Sequence, residues 1–190
     1  SRMDITLACD PNACSSGGTL VFEQIVCTTM VTLPSAPCAD YVFSIESSAR
    51  NKIITTLDMG SWINRPELYV ETTLDNTAGN HSSPTFNALP ITRICVGEPF
   101  SFNNLCQSNA NGTLSYMSVN PLEGPGNPIA YEPSYSPQNP YDGTFFLNSN
   151  SGELSGTPSQ ANVAVITVLV TETDANGNVI STVMRDMQVL

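Results

Sequence analysis

Histidine occurs once in this chain, at His81, and lysine once, at Lys52. A serine triad needs a histidine base, and a Ser–Lys pair needs its lysine, so nucleophilic catalysis has one possible partner of each kind. A Cys/His zinc site has almost no second ligand type, with His81 alone, and the cysteine spacings contain no C-x-x-C. Basic residues are few and scattered: Arg2, Arg50, Lys52, Arg65, Arg93 and Arg185 face 17 acids, for a formal charge of −11. That balance repels nucleic acid and anionic lipid. No apolar run approaches the roughly 20 residues that span a bilayer. The opening SRMDITLACD lacks the basic-then-apolar layout of a signal peptide, so a leader has been removed or the chain is a piece of a longer one. No cofactor, metal, nucleic acid or membrane insertion is expected.

Helical periodicity is also lacking. Short β-rich runs are separated by Gly, Pro, Asn and Ser. The expected strands are residues 19–28, 40–46, 52–58, 67–74, 91–96, 99–103, 113–119, 143–148, 162–172 and 179–190. In DYVFSIE, Tyr41, Phe43 and Ile45 alternate, so one face is expected to be buried. The run NVAVITVLVTE is apolar on both faces and reads as a central strand. Asn176-Gly177 between the last two runs predicts a type I′ hairpin. Many short strands with turn signals predict an all-β chain. The polar stretch NHSSPTFNALP suggests a boundary. Residues 1–86 would form a smaller, disulfide-containing N-terminal β module, and 87–190 an Ig-like β-sandwich.

Six cysteines, Cys9, Cys14, Cys27, Cys38, Cys95 and Cys106, are an even set that suits an oxidising compartment. Local pairing suggests Cys9–Cys14, Cys27–Cys38 and Cys95–Cys106, with free buried thiols as the other reading. Residues 120–143 hold six prolines and must run as a loop. Its Tyr131, Tyr135 and Tyr141 either pin that loop to the sandwich or form a platform for sugar. Trp62 is expected in packing, and His81 as a loop residue or a strut.

Chemistry is weak throughout. SGELSGTPS (151–159) places Ser155 in G-x-x-S-G, not the G-x-S-x-G of a nucleophile elbow, and no helix pattern follows. Calcium is possible but not favoured, because the turn CQSNANG carries amides and a serine but no carboxylate. A carboxylate-pair glycosidase is a remote reading.

Several stretches in order, ADYVFSIESSARNKIITTL, YVETTLDNTAGNHSSPTF, ICVGEPFSFN, IAYEPSYSPQNP and FFLNSNSGELSGTPS with TVLVTETDANGNVISTVMRDMQVL, resemble repeat modules of large secreted surface proteins of Bacteroidetes-type bacteria, including gliding-type adhesins. The C-terminal half is similar to cadherin-like immunoglobulin repeats, whose turn reads like T-G-x-L-x-G-T-P. The resemblance covers roughly residues 38–190. It implies export to the bacterial cell surface and a spacer, adhesin or filament role without catalysis. On that basis SGELSGTPS reads as a β-turn leading into a strand, with Leu154 inward and Pro158 ending the pairing. Two departures stand out. Ser47-Ser48-Ala49 replace the family's cysteines before Arg50-Asn51, and CQSNANG replaces an Asp-rich turn that a Cys95–Cys106 bond could clamp instead.

The expected partners are copies of the chain or neighbouring repeats, and the alternative is a surface glycan bound by the tyrosine loop. Met3, Ile5 and Leu7 on one face of the N-terminus, and Val183, Met187 and Val189 on the final run, are the candidate assembly strands.

Overall fold

The computed structural model of the chain describes residues 2–4, 23–34, 36–61, 65–77, 79 and 81–190. The chain divides into two compact units, Ser1–Ala36 and Pro37–Leu190. In the first, β1 (Arg2–Asp4) pairs antiparallel with β2 (Glu23–Ile25). The second holds β3 (Tyr41–Ser47), β4 (Leu68–Leu74), β5 (Thr85–Phe86), β6 (Phe100–Asn103), β7 (Cys106–Gln107), β8 (Thr113–Ser118), β9 (Leu122–Gly124), β10 (Asn127–Pro128), β11 (Gly143–Leu147), β12 (Glu153–Pro158), β13 (Ala164–Thr173) and β14 (Val179–Val189).

The expected all-β sandwich is what forms. A seven-stranded antiparallel sheet runs β10-β9-β4-β14-β13-β8, with β3 added to β4. A three-stranded sheet, β11-β12-β6, faces it, and β5-β7 is a short two-stranded piece. The alternation of β13 explains the packing. Ala164, Ile166, Val168 and Val170 point one way and meet Leu154 of β12, Tyr116 of β8 and Met187 and Val189 of β14. Phe100, Phe102, Phe145 and Leu147 of the smaller sheet close over them. Val165 points the other way and is buried with Ile54, Leu57 and Ile129, which belong to loops crossing the outer face. Both faces of β13 are therefore covered, as its unbroken apolar pattern required. Burying an aliphatic side chain of this size stabilises by roughly 1.5–3 kcal/mol, so these two clusters dominate the fold.

Three expectations are corrected. The boundary after residue 86 does not exist: β4 hydrogen-bonds β14 through Thr72↔Val183, Thr73↔Thr182 and Leu74↔Ser181, so the unit begins at Pro37. Residues 52–58 are not a strand. Their apolar side chains, Ile54 and Leu57, instead plug the outer face from a loop, with one bridge from Leu57 to Tyr131. Residues 91–96 are also irregular, although Ile94 donates to the Leu190 carbonyl at 2.9 Å and Leu190 to the Thr92 carbonyl at 3.0 Å.

The hairpin at 173–178 forms, but not as type I′. Gly177 has φ +87°, while Asn176 is not among the residues of positive φ. Asp174 organises the loop instead. Its Oδ1 accepts from the backbone N–H groups of Asn176 at 2.8 Å and Asn178 at 2.9 Å. The Asn178 side-chain amide, which donates to Oδ2 at 3.0 Å, and then the Asn178 backbone N–H hold the Asp174 carboxyl below the usual range. Aspartate at the head of a loop competes with a tight two-residue turn by capturing N–H groups locally.

Candidate functional site

Ser155 lies in the middle of β12, with Phe146 on one side and Ser101 on the other. The turn precedes it. Gly152 N–H donates to the Asn148 carbonyl at 2.9 Å, and Asn148 N–H to the Glu153 carbonyl at 2.9 Å. At φ +71°, Gly152 also leaves room for a ring: a Cβ there would sit 2.4 Å from Tyr116. Gly156 is tighter still, with the Thr144 carbonyl oxygen 2.0 Å from where its Cβ would stand. Leu154 is fully buried, and Pro158 pairs with Gly143 at the end of the strand. The motif is a packing device.

His81 is half-buried, and its Nε2 is enclosed with no hydrogen-bond partner among the described residues. Gly79 lies beside the ring, where its Cβ would come 3.7 Å from that nitrogen. The carboxyl of Asp75 is held low mainly by hydrogen bonds from Thr77, with His81 adding a smaller Coulombic pull. Trp62 lies outside the described residues. Among the described residues no three His, Cys, Asp or Glu gather as a metal site.

The tyrosines of the proline-rich loop act as anchors. The Tyr131 hydroxyl donates to the Val165 carbonyl at 2.9 Å, and burial pushes its pKa up. Tyr135 donates to Asp142 at 2.8 Å and accepts from Asn162 at 3.3 Å. Tyr141 is 2% exposed, donates to the Thr144 carbonyl at 2.8 Å and meets Phe145 edge-on at 5.8 Å between ring centroids. A sugar platform needs exposed ring faces, and Tyr141 offers none.

The turn examined for calcium carries its own anion, supplied from elsewhere. Glu172 of β13 is 0% exposed. Its carboxylate accepts from the Ser108 hydroxyl, from Gly112 N–H at 3.2 Å, from Ala110 N–H at 3.4 Å and from the Ser181 hydroxyl at 2.9 Å. Gly112 packs directly on it, with 2.5 Å from its would-be Cβ to the Glu172 Cγ. Buried carboxylates are tolerated when such donors surround them. The sequence hid this partner because it lies some 60 residues away from the turn.

Two arginines hold the faces of the large sheet. Arg50 and Asp186 form a buried, two-point ion pair at 3.0 and 2.8 Å on the outer face. Arg50 also donates to the Glu67 carbonyl at 3.1 Å and the Leu122 carbonyl at 3.1 Å, tying three segments together. Arg185, next in sequence, points inward. Its guanidinium sits 4.0 Å over the Phe86 ring and donates to Asn104 at 3.2 Å and the Ala88 carbonyl at 2.7 Å. Desolvation lowers its pKa to about 10.

The cysteine pairing is corrected. Cys27, Cys38 and Cys106 are free thiols, so neither Cys27–Cys38 nor Cys95–Cys106 forms, and Cys95 is disulfide-bonded. Cys106 sits beside the inner core, where burial pushes it up to about 11. Cys38 is half-exposed and donates to Asp40 at 3.1 Å. Cys9 and Cys14 lie outside the described residues.

The assembly strands are corrected too. Val183, Met187 and Val189 belong to the inner core, and β14 lies between β13 and β4, which pairs with it at Ser181–Val183. Met3 pairs with Gln24 inside the first unit, and Ile5 and Leu7 lie outside the described residues. β3 is one of the terminal strands, along with β8 and β10 of the same sheet. Among the described residues it pairs only with β4. Val42 is 55% and Ile45 64% exposed, on opposite faces, while Tyr41 and Phe43 stack at 6.4 Å and are half-buried. Sequence reading noticed its alternation but assigned it a buried face. The signal for an edge was the company of Asp40 and Glu46 with a row of apolar residues.

The chain matches no family profile, no curated protein and no solved structure.

Proposed function

We propose that this chain is a non-enzymatic extracellular module that builds a bacterial surface adhesin or filament by joining copies of itself or neighbouring repeats. The observation that carries this reading is the β3 edge. It is seven residues long, regular throughout its register with β4, and contains no lysine, proline or bulge. Those are the devices that ordinarily blunt an edge against another strand. Glu46 is its one charge, and Val42 and Ile45 stand in solvent on either face. Edge pairing supplies main-chain hydrogen bonds, and apolar side chains on both faces add contact area. The residues that would otherwise suggest chemistry support the same view. Glu172, Arg50, Asp186 and the loop tyrosines are all bonded within the fold. Resemblance of the SGELSGTPS and VTETDANGN stretches to repeated surface modules agrees with a building role.

The net charge of −11 opposes association at long range. Screening within about 8 Å at physiological salt leaves short-range apolar pairing to decide. Sedimentation velocity over a range of concentrations, with electron microscopy of the concentrated sample, tests the proposal. Oligomers that grow with concentration are expected. A strictly monomeric chain at the highest concentration and physiological salt defeats it.

A further inference from the structure

Residues 27–33, Cys-Thr-Thr-Met-Val-Thr-Leu, form no strand. They are exposed from Cys27 to Thr32, and Met30 is 96% exposed, the most open large apolar side chain described. Val31 is 56% exposed. Threonine and valine favour extended pairing, and a segment of this composition in water is a strand without a sheet. Among the described residues the chain thus presents a strand-like segment outside any sheet and, in β3, a sheet edge with no second partner. Both are seven residues long.

We propose that residues 27–33 of one copy add to the β3 edge of a second copy, so that the module polymerises head to tail by strand donation. This rests on the self-association reading and names its donor and acceptor. Charge selects this occupant. The acceptor edge is acidic, with Glu46 on it, Asp40 just before it and Glu71 opposite Ser44 in the next strand. Residues 27–33 carry no charge, so they approach that edge without the repulsion that the rest of a −11 chain meets. Pro34 and Pro37 stand between the two segments in sequence, and each restricts the residue before it to extended backbone.

Side chains fit an antiparallel register, the sense of every ladder in the sheet. With Leu33 of the donor opposite Tyr41, Val31 falls opposite Phe43 and Thr29 opposite Ile45. Those are aliphatic–aromatic and β-branched pairs on one face. On the other, Thr32 meets Val42, Met30 meets Ser44 and Thr28 meets Glu46. No like charges oppose each other. Because donor and acceptor are different surfaces, the contact is heterologous and extends as an open polymer wherever its rotation does not close a ring.

The test uses two variants of the full chain. Val31→Asp disables the donor; Val42→Lys with Ile45→Lys disables the acceptor at two solvent-exposed positions. Each alone is expected to sediment as a monomer. Their equimolar mixture is expected to give a dimer that grows no further, since one variant keeps a live edge and the other a live donor. A synthetic peptide of residues 27–33 in excess is expected to shorten wild-type oligomers, a readout that needs no variant to fold. If Val31→Asp still associates as the wild type does, or the mixture stays monomeric, or the peptide changes nothing, strand donation is overturned while self-association stands. A monomeric wild type overturns both.

Discussion

Replacing Arg50 by methionine should destabilise the second unit severely, and replacing Asp186 as well should restore most of the loss. The side chains of this pair are 3% and 4% exposed, so neither charge is compensated by water. Arg50→Met keeps the length of the side chain but removes both bonds to Asp186 and those to the Glu67 and Leu122 carbonyls. Asp186 would then keep the Thr167 hydroxyl, at 3.2 Å. Leaving one member of a buried pair alone costs about 3–5 kcal/mol, whereas replacing both by packed apolar residues is often neutral. For a unit of this size a kcal/mol moves Tm by about 2–4 °C, so Arg50→Met should lower it by roughly 10 °C. Arg50→Met/Asp186→Leu should lie much closer to the wild type. Calorimetry or urea unfolding of the four proteins in a double-mutant cycle measures the coupling. A single variant within about 1 kcal/mol of wild type, or a double variant no better than Arg50→Met, would refute the argument that desolvation dominates here.

Native, unreduced protein treated with an alkylating agent should be labelled quickly at Cys27, more slowly at Cys38, and at Cys106 only after unfolding, as peptide mass spectrometry would report. Labelling of Cys106 at the rate of Cys27 would contradict its burial and its pKa of about 11. In an alkaline titration followed by ultraviolet absorbance, part of the tyrosinate signal should appear late, because burial raises Tyr116 and Tyr141 to about 12 and Tyr131 further. The sign follows from the neutral form being favoured in the fold. The stability these phenols contribute is complete below the free value near 10 and is lost as pH climbs through about 12. A single step near 10 with the fold intact would count against the loop anchors.

Strand identity was legible where alternation was strong. β4, β6, β8, β11 and β14 fall within the expected runs, and β3 and β13 overrun theirs by one residue. Residues 52–58 misled because KIITTLD has the composition of a strand, while Ile54 and Leu57 are buried from a loop. Composition cannot distinguish a side chain that plugs a sheet from one that belongs to it. The domain boundary failed for a related reason. NHSSPTFNALP does look like a linker, but β4 is claimed by β14, more than a hundred residues later, and no local pattern records such pairing. The polar cores were invisible for the same reason of distance: Glu172 reads as a strand-end acid, and Arg50 as one of a few scattered cations. The cysteine count pointed to complete pairing, yet an even count says nothing about which thiols approach. For the site, alternation marked β3 as half-buried, and only the neighbours it lacks reveal it as an edge.

The attachment of β3 and β4 bears on the order in which the sheet assembles. β13 and β14 form a hairpin around the 173–178 loop, a short-range closure that needs little chain entropy. Among the described residues, β4 pairs with that hairpin at Thr72, Thr73 and Leu74, with a further pairing from Tyr69 to Leu122 of β9. Contacts between residues so far apart in sequence form late and, being few, open early. The hairpin of β3 and β4 is then the last part of the sheet to be secured and the first to exchange its amide protons. An incoming strand laid along β3 would act from the periphery as a clasp, raising the protection of the least anchored strands without touching the core.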